Sequence, residues 1–193
     1  MADAPSAAPP RVLPDGVEAV VFEAAQIAAV VRRLAAEIAA ETLGEPLLLV
    51  GVLKGALFLT ADLARALSPQ LDVRIDYVAA SSYRQSHHPS GDVRLVKDTS
   101  QSVEGQHVVI VEDILDHGRT LERLERLLGA RRPASLRSCV LLDKPYRRDT
   151  PVRPNYVGLT APDGFIVGYG LDYQEKYRHL PYLAKLHAWR LDG

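Results

Sequence analysis

The chain has 193 residues, 47% of them hydrophobic and 24% charged, a composition able to bury a full core without covalent staples. Its 23 basic and 24 acidic side chains leave a net charge of -1, which excludes the global basic field of a dedicated nucleic-acid binder. The single Cys139 excludes an internal disulfide and a cysteine-rich zinc cluster, and apolar runs such as Leu47–Leu53 are far too short to span a bilayer.

The opening MADAPSAAPP has neither the basic nor the apolar segment of a secretory leader. A disordered tail over 1–10, one folded domain over 11–193 and a cytoplasmic location are therefore expected, with no membrane partner. Ile27, Val30, Val31, Leu34 and Ile38 keep helical spacing opposite Arg32, Arg33, Glu37 and Glu41, which predicts an amphipathic helix ending near Gly44. LLLVGVL (47–53) is apolar without alternation, the pattern of a strand buried on both faces of a parallel sheet. After the Lys54-Gly55 turn, ALFLTADLARAL is helical by period, and 71–80 reads as a strand. SSYRQSHHPSGD (81–92) is a long polar loop, of a length that often serves as a lid. HVVIVED (107–113) is a strand, Leu121, Leu124, Leu127 and Leu128 mark a helix stopped by Gly129, and 135–143, 156–160 and 165–171 read as further strands.

Strands alternating with helices predict an α/β domain with a mostly parallel sheet, whose ligands sit at the carboxyl ends of the strands. Three of those ends carry charge: Lys54, Glu112-Asp113 and Asp143-Lys144. In VVIVEDILDHGRTL (108–121) two carboxylates close an apolar strand, and Asp116, Gly118 and Thr120 lead into a helix. A helix N-terminus offers free N–H groups and a positive dipole end to phosphate, and adjacent acids can accept hydrogen bonds from sugar hydroxyls. By spacing alone, Asp116 could equally be a helix cap with solvated acids beside it. His87 and His88 lack a companion cluster, so they read as loop polarity. No GxxxxGK[ST] occurs, which removes a P-loop nucleotidase.

The string VVIVEDILDHGRTL closely resembles the phosphoribosyl-pyrophosphate (PRPP) motif of type I phosphoribosyltransferases. LVGVLKGALFLTADL (49–63), SSY (81–83) with SGDVRLVKD (90–98), LLDKP (141–145) and PNYVGLTAPDGFIVGYGLDYQEKYRHLPYL (154–183) follow in the order of one branch, the hypoxanthine-guanine phosphoribosyltransferases. The resemblance runs from about residue 12 to 186. It implies the type I phosphoribosyltransferase fold: a mostly parallel twisted sheet flanked by helices, with a small hood formed by the chain ends.

The same resemblance implies an enzyme of purine salvage, transferring the 5-phosphoribosyl group of PRPP to hypoxanthine or guanine with Mg²⁺ as cofactor. Glu112 and Asp113 would hold the ribose hydroxyls. Asp116, His117, Gly118, Arg119 and Thr120 would cradle the 5′-phosphate, and Asp116 would take the purine N7 proton. Lys54, Gly55 and Arg178 would bind pyrophosphate, in a loop that contains a non-proline cis peptide in the family. Lys144 would read O6, Phe165 would stack on the base, and Ile166 and Asp172 would read its edge. Glu112, Asp113 and Asp172 would be the metal ligands, and Ser82 and Tyr83 would close over the reaction. Two or four copies would assemble. The family usually carries Thr or Ser at the position of His117, so a hydroxyl donor is missing here. The competing reading is a nucleotide-sensing, RNA-binding regulator that keeps the fold; retention of Asp116, Lys144, Asp172 and Arg178 together favours the enzyme.

Overall fold

A computed structural model describes residues 12–42, 44–67, 71–82 and 93–191. The expected tail over 1–10, together with Tyr83, His87 and His88, lies outside the described residues.

Chain order is β1 (Val17–Phe22), α1 (Ala24–Thr42), β2 (Leu47–Leu53), α2 (Leu57–Ala66), β3 (Val73–Ser82), β4 (Val93–Lys97), β5 (His107–Leu115), α3 (Arg119–Gly129), β6 (Ser135–Asp143), β7 (Tyr156–Thr160), β8 (Ile166–Val167) and β9 (Leu183–Leu186). Six strands form one sheet in the order β4-β3-β2-β5-β6-β7, parallel except for the antiparallel edge strand β4. The α/β prediction therefore holds. The strand order reverses between β2 and β5, the place where sheets of this kind open a ligand crevice.

The unalternating run of β2 is explained by two cores. Leu47 and Leu49 pack with Leu34 of α1 and Leu59 of α2, whereas Leu48, Val50 and Val52 pack with Leu121, Leu124 and Leu128 of α3. Successive side chains point to opposite faces, so a strand covered on both must be apolar throughout.

A second, three-stranded sheet has the order β1-β9-β8, joining both ends of the chain as the expected hood. It has its own small core, with Val17, Val167, Tyr177, Leu180 and Leu186. Three boundaries differ from the sequence reading. The expected strand 165–171 is only Ile166–Val167, because Gly168, Tyr169 and Gly170 all take positive φ and turn the chain. Part of the segment likened to a mobile loop is strand β4, paired to β3 from Ala79 to Ser82. The strands β1 and β9 had no strong apolar alternation to announce them.

Where β4 returns toward the sheet, buried Asp76 accepts from the Tyr77, Ser100 and Gln101 N–H groups and from the Ser100 hydroxyl, at 2.7–2.9 Å. Burial alone would raise its pKa, but these bonds hold the carboxyl below its ordinary value. Among the described residues no helix is long and apolar enough to cross a membrane.

Candidate active site

The carboxyl ends of β2, β5 and β6 lie side by side, with Leu115 in register with Asp143. Parallel strands thereby bring Lys54, Asp113, Asp116 and Lys144 to one edge of the sheet. The Leu53–Lys54 peptide is cis, as the resemblance implied. Gly55 is required by a close approach: a Cβ there would lie 1.7 Å from Asp113 Oδ2.

Past β5 the chain enters α3 through Gly118, whose φ of +88° suits glycine and whose Cβ would meet Thr150 Oγ1 at 2.3 Å. No side chain caps α3, so its first N–H groups are left for a ligand. His117 offers its carbonyl to the Asp149 N–H (3.2 Å) and the Thr150 hydroxyl (3.1 Å). Its half-exposed imidazole lies 3.8 Å from Asp116. Arg119 pairs with Asp149 and points outward.

The neighbouring acids Glu112 and Asp113 are divided by the strand's alternation. Glu112 is buried on the α3 side, and one of its oxygens, Oε2, has no hydrogen-bond partner. Burial first, then the Asp113 and Glu125 carboxylates, raise its pKa well above the ordinary value; the Arg148 guanidinium opposes this. Asp113 faces Gly55, Asp172 and Arg178. Burial pushes its pKa up to about 6, against backbone N–H bonds and Arg178.

A direct consequence is testable with metal chelated. Between the ordinary aspartate pKa of 3.8 and about 6, the folded chain keeps a proton on Asp113 that the unfolded chain has released. Stability from this group is full below that window and falls as pH rises through it, by up to about 3 kcal/mol. The stability difference between Asp113→Asn and the parent should shift in the variant's favour from pH 4 to 7. A difference that is flat with pH refutes this, and denaturant titration measures it.

Lys144 is only 5% exposed, and its ammonium donates to the Gly164 carbonyl at 3.1 Å. Burial lowers its pKa while the Asp116 carboxylate opposes the shift, placing Lys144 and Asp116 near one another. Phe165 is exposed enough to offer a ring face and meets Tyr173 edge-on, with centroids 5.4 Å apart. Ile166 is buried and paired through β8 to β9. Arg178 donates to the Gly170 carbonyl and pairs with Asp172, both at 2.7 Å. Ser82 ends β3; Tyr83 lies outside the described residues.

The donor set fits Mg²⁺ in part. Asp113 and Asp172 are hard oxygen ligands close enough to influence each other's charge. Among the described residues, however, no group of three or more acidic, His or Cys side chains converges on one point. Of the expected set of Glu112, Asp113 and Asp172, Glu112 sits on the opposite face of β5 from Asp113, so Asp113 and Asp172 are the pair that could hold an ion together with oxygens of substrate and water.

Three residues of this site were given no role by the sequence: Arg147 and Arg148 lie outside every quoted motif, and Glu175 lies inside the 154–183 segment without being singled out. Arg147 Nε lies 3.0 Å from Asp116 Oδ1. Arg148, with 4% of its side chain exposed, pairs with Asp143, donates to the Val152 carbonyl (2.9 Å) and reaches the Asp116 carbonyl (3.4 Å). Glu175 lies between Lys54 and Arg178.

A family model for the phosphoribosyl transferase domain matches residues 21–174. The hypoxanthine-guanine phosphoribosyltransferase of Mycobacterium avium is 45% identical over 187 residues, covering 93% of this chain and 91% of the relative. The hypoxanthine phosphoribosyltransferase of Salmonella typhimurium is 45% identical over 143 residues, 74% of this chain and 79% of its own. The solved hypoxanthine phosphoribosyltransferase of Trypanosoma cruzi, in complex with the product IMP, superposes with a TM-score of 0.86 at 40% identity, covering 93% and 99% of the two chains.

Proposed function

The chain belongs to the phosphoribosyl transferase domain family, and from that premise we propose that it salvages purines, joining the 5-phosphoribosyl group of PRPP to N9 of hypoxanthine or guanine. IMP or GMP and pyrophosphate leave. The observation that carries this reading is the placement of Asp116 and Lys144 on adjacent strand ends beside the uncapped start of α3. A base, an O6 donor and a phosphate cradle at one opening are what the proposed reaction calls for.

In the reaction the C1′–O bond to pyrophosphate breaks while the C1′–N9 bond forms, and the ribose ring gains positive charge in between. Asp116 accepts the N7 proton that the attacking purine must lose. Lys144 donates to O6, where electron density gathers, and the ring of Phe165 lies against the base. The backbone of 116–120 holds the 5′-phosphate at the positive end of α3. His117 is not needed for that, since amides bind an anion without a particular side chain. Lys54 and Arg178 stabilise the departing pyrophosphate. Mg²⁺ held by Asp113 and Asp172 would supply further neutralisation of the diphosphate charge.

A nucleotide-sensing regulator finds no support, because the relatives matched across most of the chain are named as transferases. The assay is product formation from PRPP with hypoxanthine, guanine and xanthine in turn. Turnover of hypoxanthine to IMP is expected with Mg²⁺ and not in excess chelator. Absence of product from all three bases overturns the assignment, and full turnover in chelator overturns the metal requirement. The assembly of two or four copies is read by light scattering on the same preparation.

A further inference from the structure

The cations assigned to pyrophosphate are both engaged by one carboxylate. Lys54 Nζ lies 2.7 Å from Glu175 Oε2, and Arg178 Nη2 lies 3.2 Å from Glu175 Oε1. The Glu175 N–H donates to Asp172 Oδ2 at 2.9 Å, so the backbone of Glu175 is tied to the acid that also pairs with Arg178.

The local backbone makes this placement costly. Tyr173 and Lys176 exchange N–H···O bonds of 3.3 and 3.0 Å around a two-residue turn. Gln174 and Glu175 sit at its centre with φ of +52° and +61°. Such a turn favours Asn and Gly, and neither is used. Residues held in a disfavoured conformation cluster at functional sites, where the surroundings enforce them. Stability does not account for the arrangement. Lys54 and Glu175 each have 64% of the side chain exposed, and an exposed pair of this kind contributes little to folding.

We propose that Glu175 is an internal competitor for the diphosphate group, holding Lys54 and Arg178 until the diphosphate of PRPP displaces it and reclaiming them as pyrophosphate leaves. This rests on the assignment of Lys54 and Arg178 to pyrophosphate. The carboxylate carries less charge than a diphosphate, so it yields to the substrate, yet it lowers the net affinity and speeds the exit of the product. Glu175 is thus a positioning residue that sets affinity at the diphosphate end and leaves the purine end alone.

The test removes the charge in two ways. Glu175→Gln keeps the side-chain length, and Glu175→Asn supplies the residue that the turn prefers, which guards the fold. Calorimetry with Mg²⁺ and pyrophosphate reads the dissociation constant without relying on turnover. Both variants should bind pyrophosphate tighter, by about three- to ten-fold for the loss of one exposed ion pair and one whose arginine is partly buried. The KM for PRPP should fall in parallel, while the KM for hypoxanthine stays. Unchanged or weaker pyrophosphate binding in the folded variants overturns the proposal, because a merely structural carboxylate gives that result. A parent that binds pyrophosphate but makes no IMP would instead overturn the transferase reading, and the calorimetric comparison would still decide the role of Glu175.

Discussion

Asp116→Asn should lower kcat by about 10²–10⁴-fold, the usual contribution of a positioned general base. The amide has the shape of the carboxylate but cannot accept the N7 proton at neutral pH. The rest of the cradle stays in place. The main-chain carbonyl of residue 116 still meets Arg148, and Arg147, whose Nε lies 3.0 Å from Asp116 Oδ1 as an ion pair in the parent, keeps its place. PRPP affinity should therefore change little, because its 5′-phosphate is held by the backbone of α3's first turn. Steady-state constants together with a single-turnover measurement make the check. An unchanged rate of the chemical step would remove Asp116 from the role of base.

Arg148→Met should cost about 3 kcal/mol of stability, or roughly 10 °C in Tm for a chain of this size. The guanidinium is buried and serves several partners at once. It pairs with Asp143 at the end of β6, ties down the Val152 carbonyl and contacts the carbonyl of Asp116. It is also the cation that opposes the raised pKa of Glu112. Methionine fills similar volume, but Asp143 loses its ion pair and Glu112 loses the nearby positive charge. Removing one partner of a buried pair is far more damaging than never having built it. Arg148→Lys should recover part of the loss, since a point charge remains but the planar fork does not. Thermal unfolding in chelator measures the effect. A change of under about 2 °C for Arg148→Met would show that the guanidinium is not structural.

The two predictions differ in how far the sequence could carry them. Asp116 lies in one contiguous string, VVIVEDILDHGRTL, where a strand end, a turn and a helix start are neighbours in the chain. Arg148 follows a strand and a proline with no pattern that marks it. Its partners Asp116 and Val152 come from two different segments, brought together when the connection after β6 folds back over the phosphate turn.

The central strands and helices were determined by the sequence alone, because their burial is written in local periodicity. Leu47–Leu53 must be apolar at every position to serve two cores, and α3 sets leucines against charged residues at helical spacing. The charged strand ends were equally legible, since parallel strands necessarily finish at one edge. Tertiary structure decided what depends on partners distant in the chain. The hood strand β1 finds β9 across more than 160 residues, and its mixed burial gives no local signal. The side on which each acid of Glu112-Asp113 falls follows from which face α3 covers, and adjacency in sequence hides that they point apart. Lys54 and Glu175 meet across 121 positions. An exposed ion pair leaves no trace in hydrophobic pattern, because either residue alone is an ordinary solvated charge, and only the folded chain makes them neighbours.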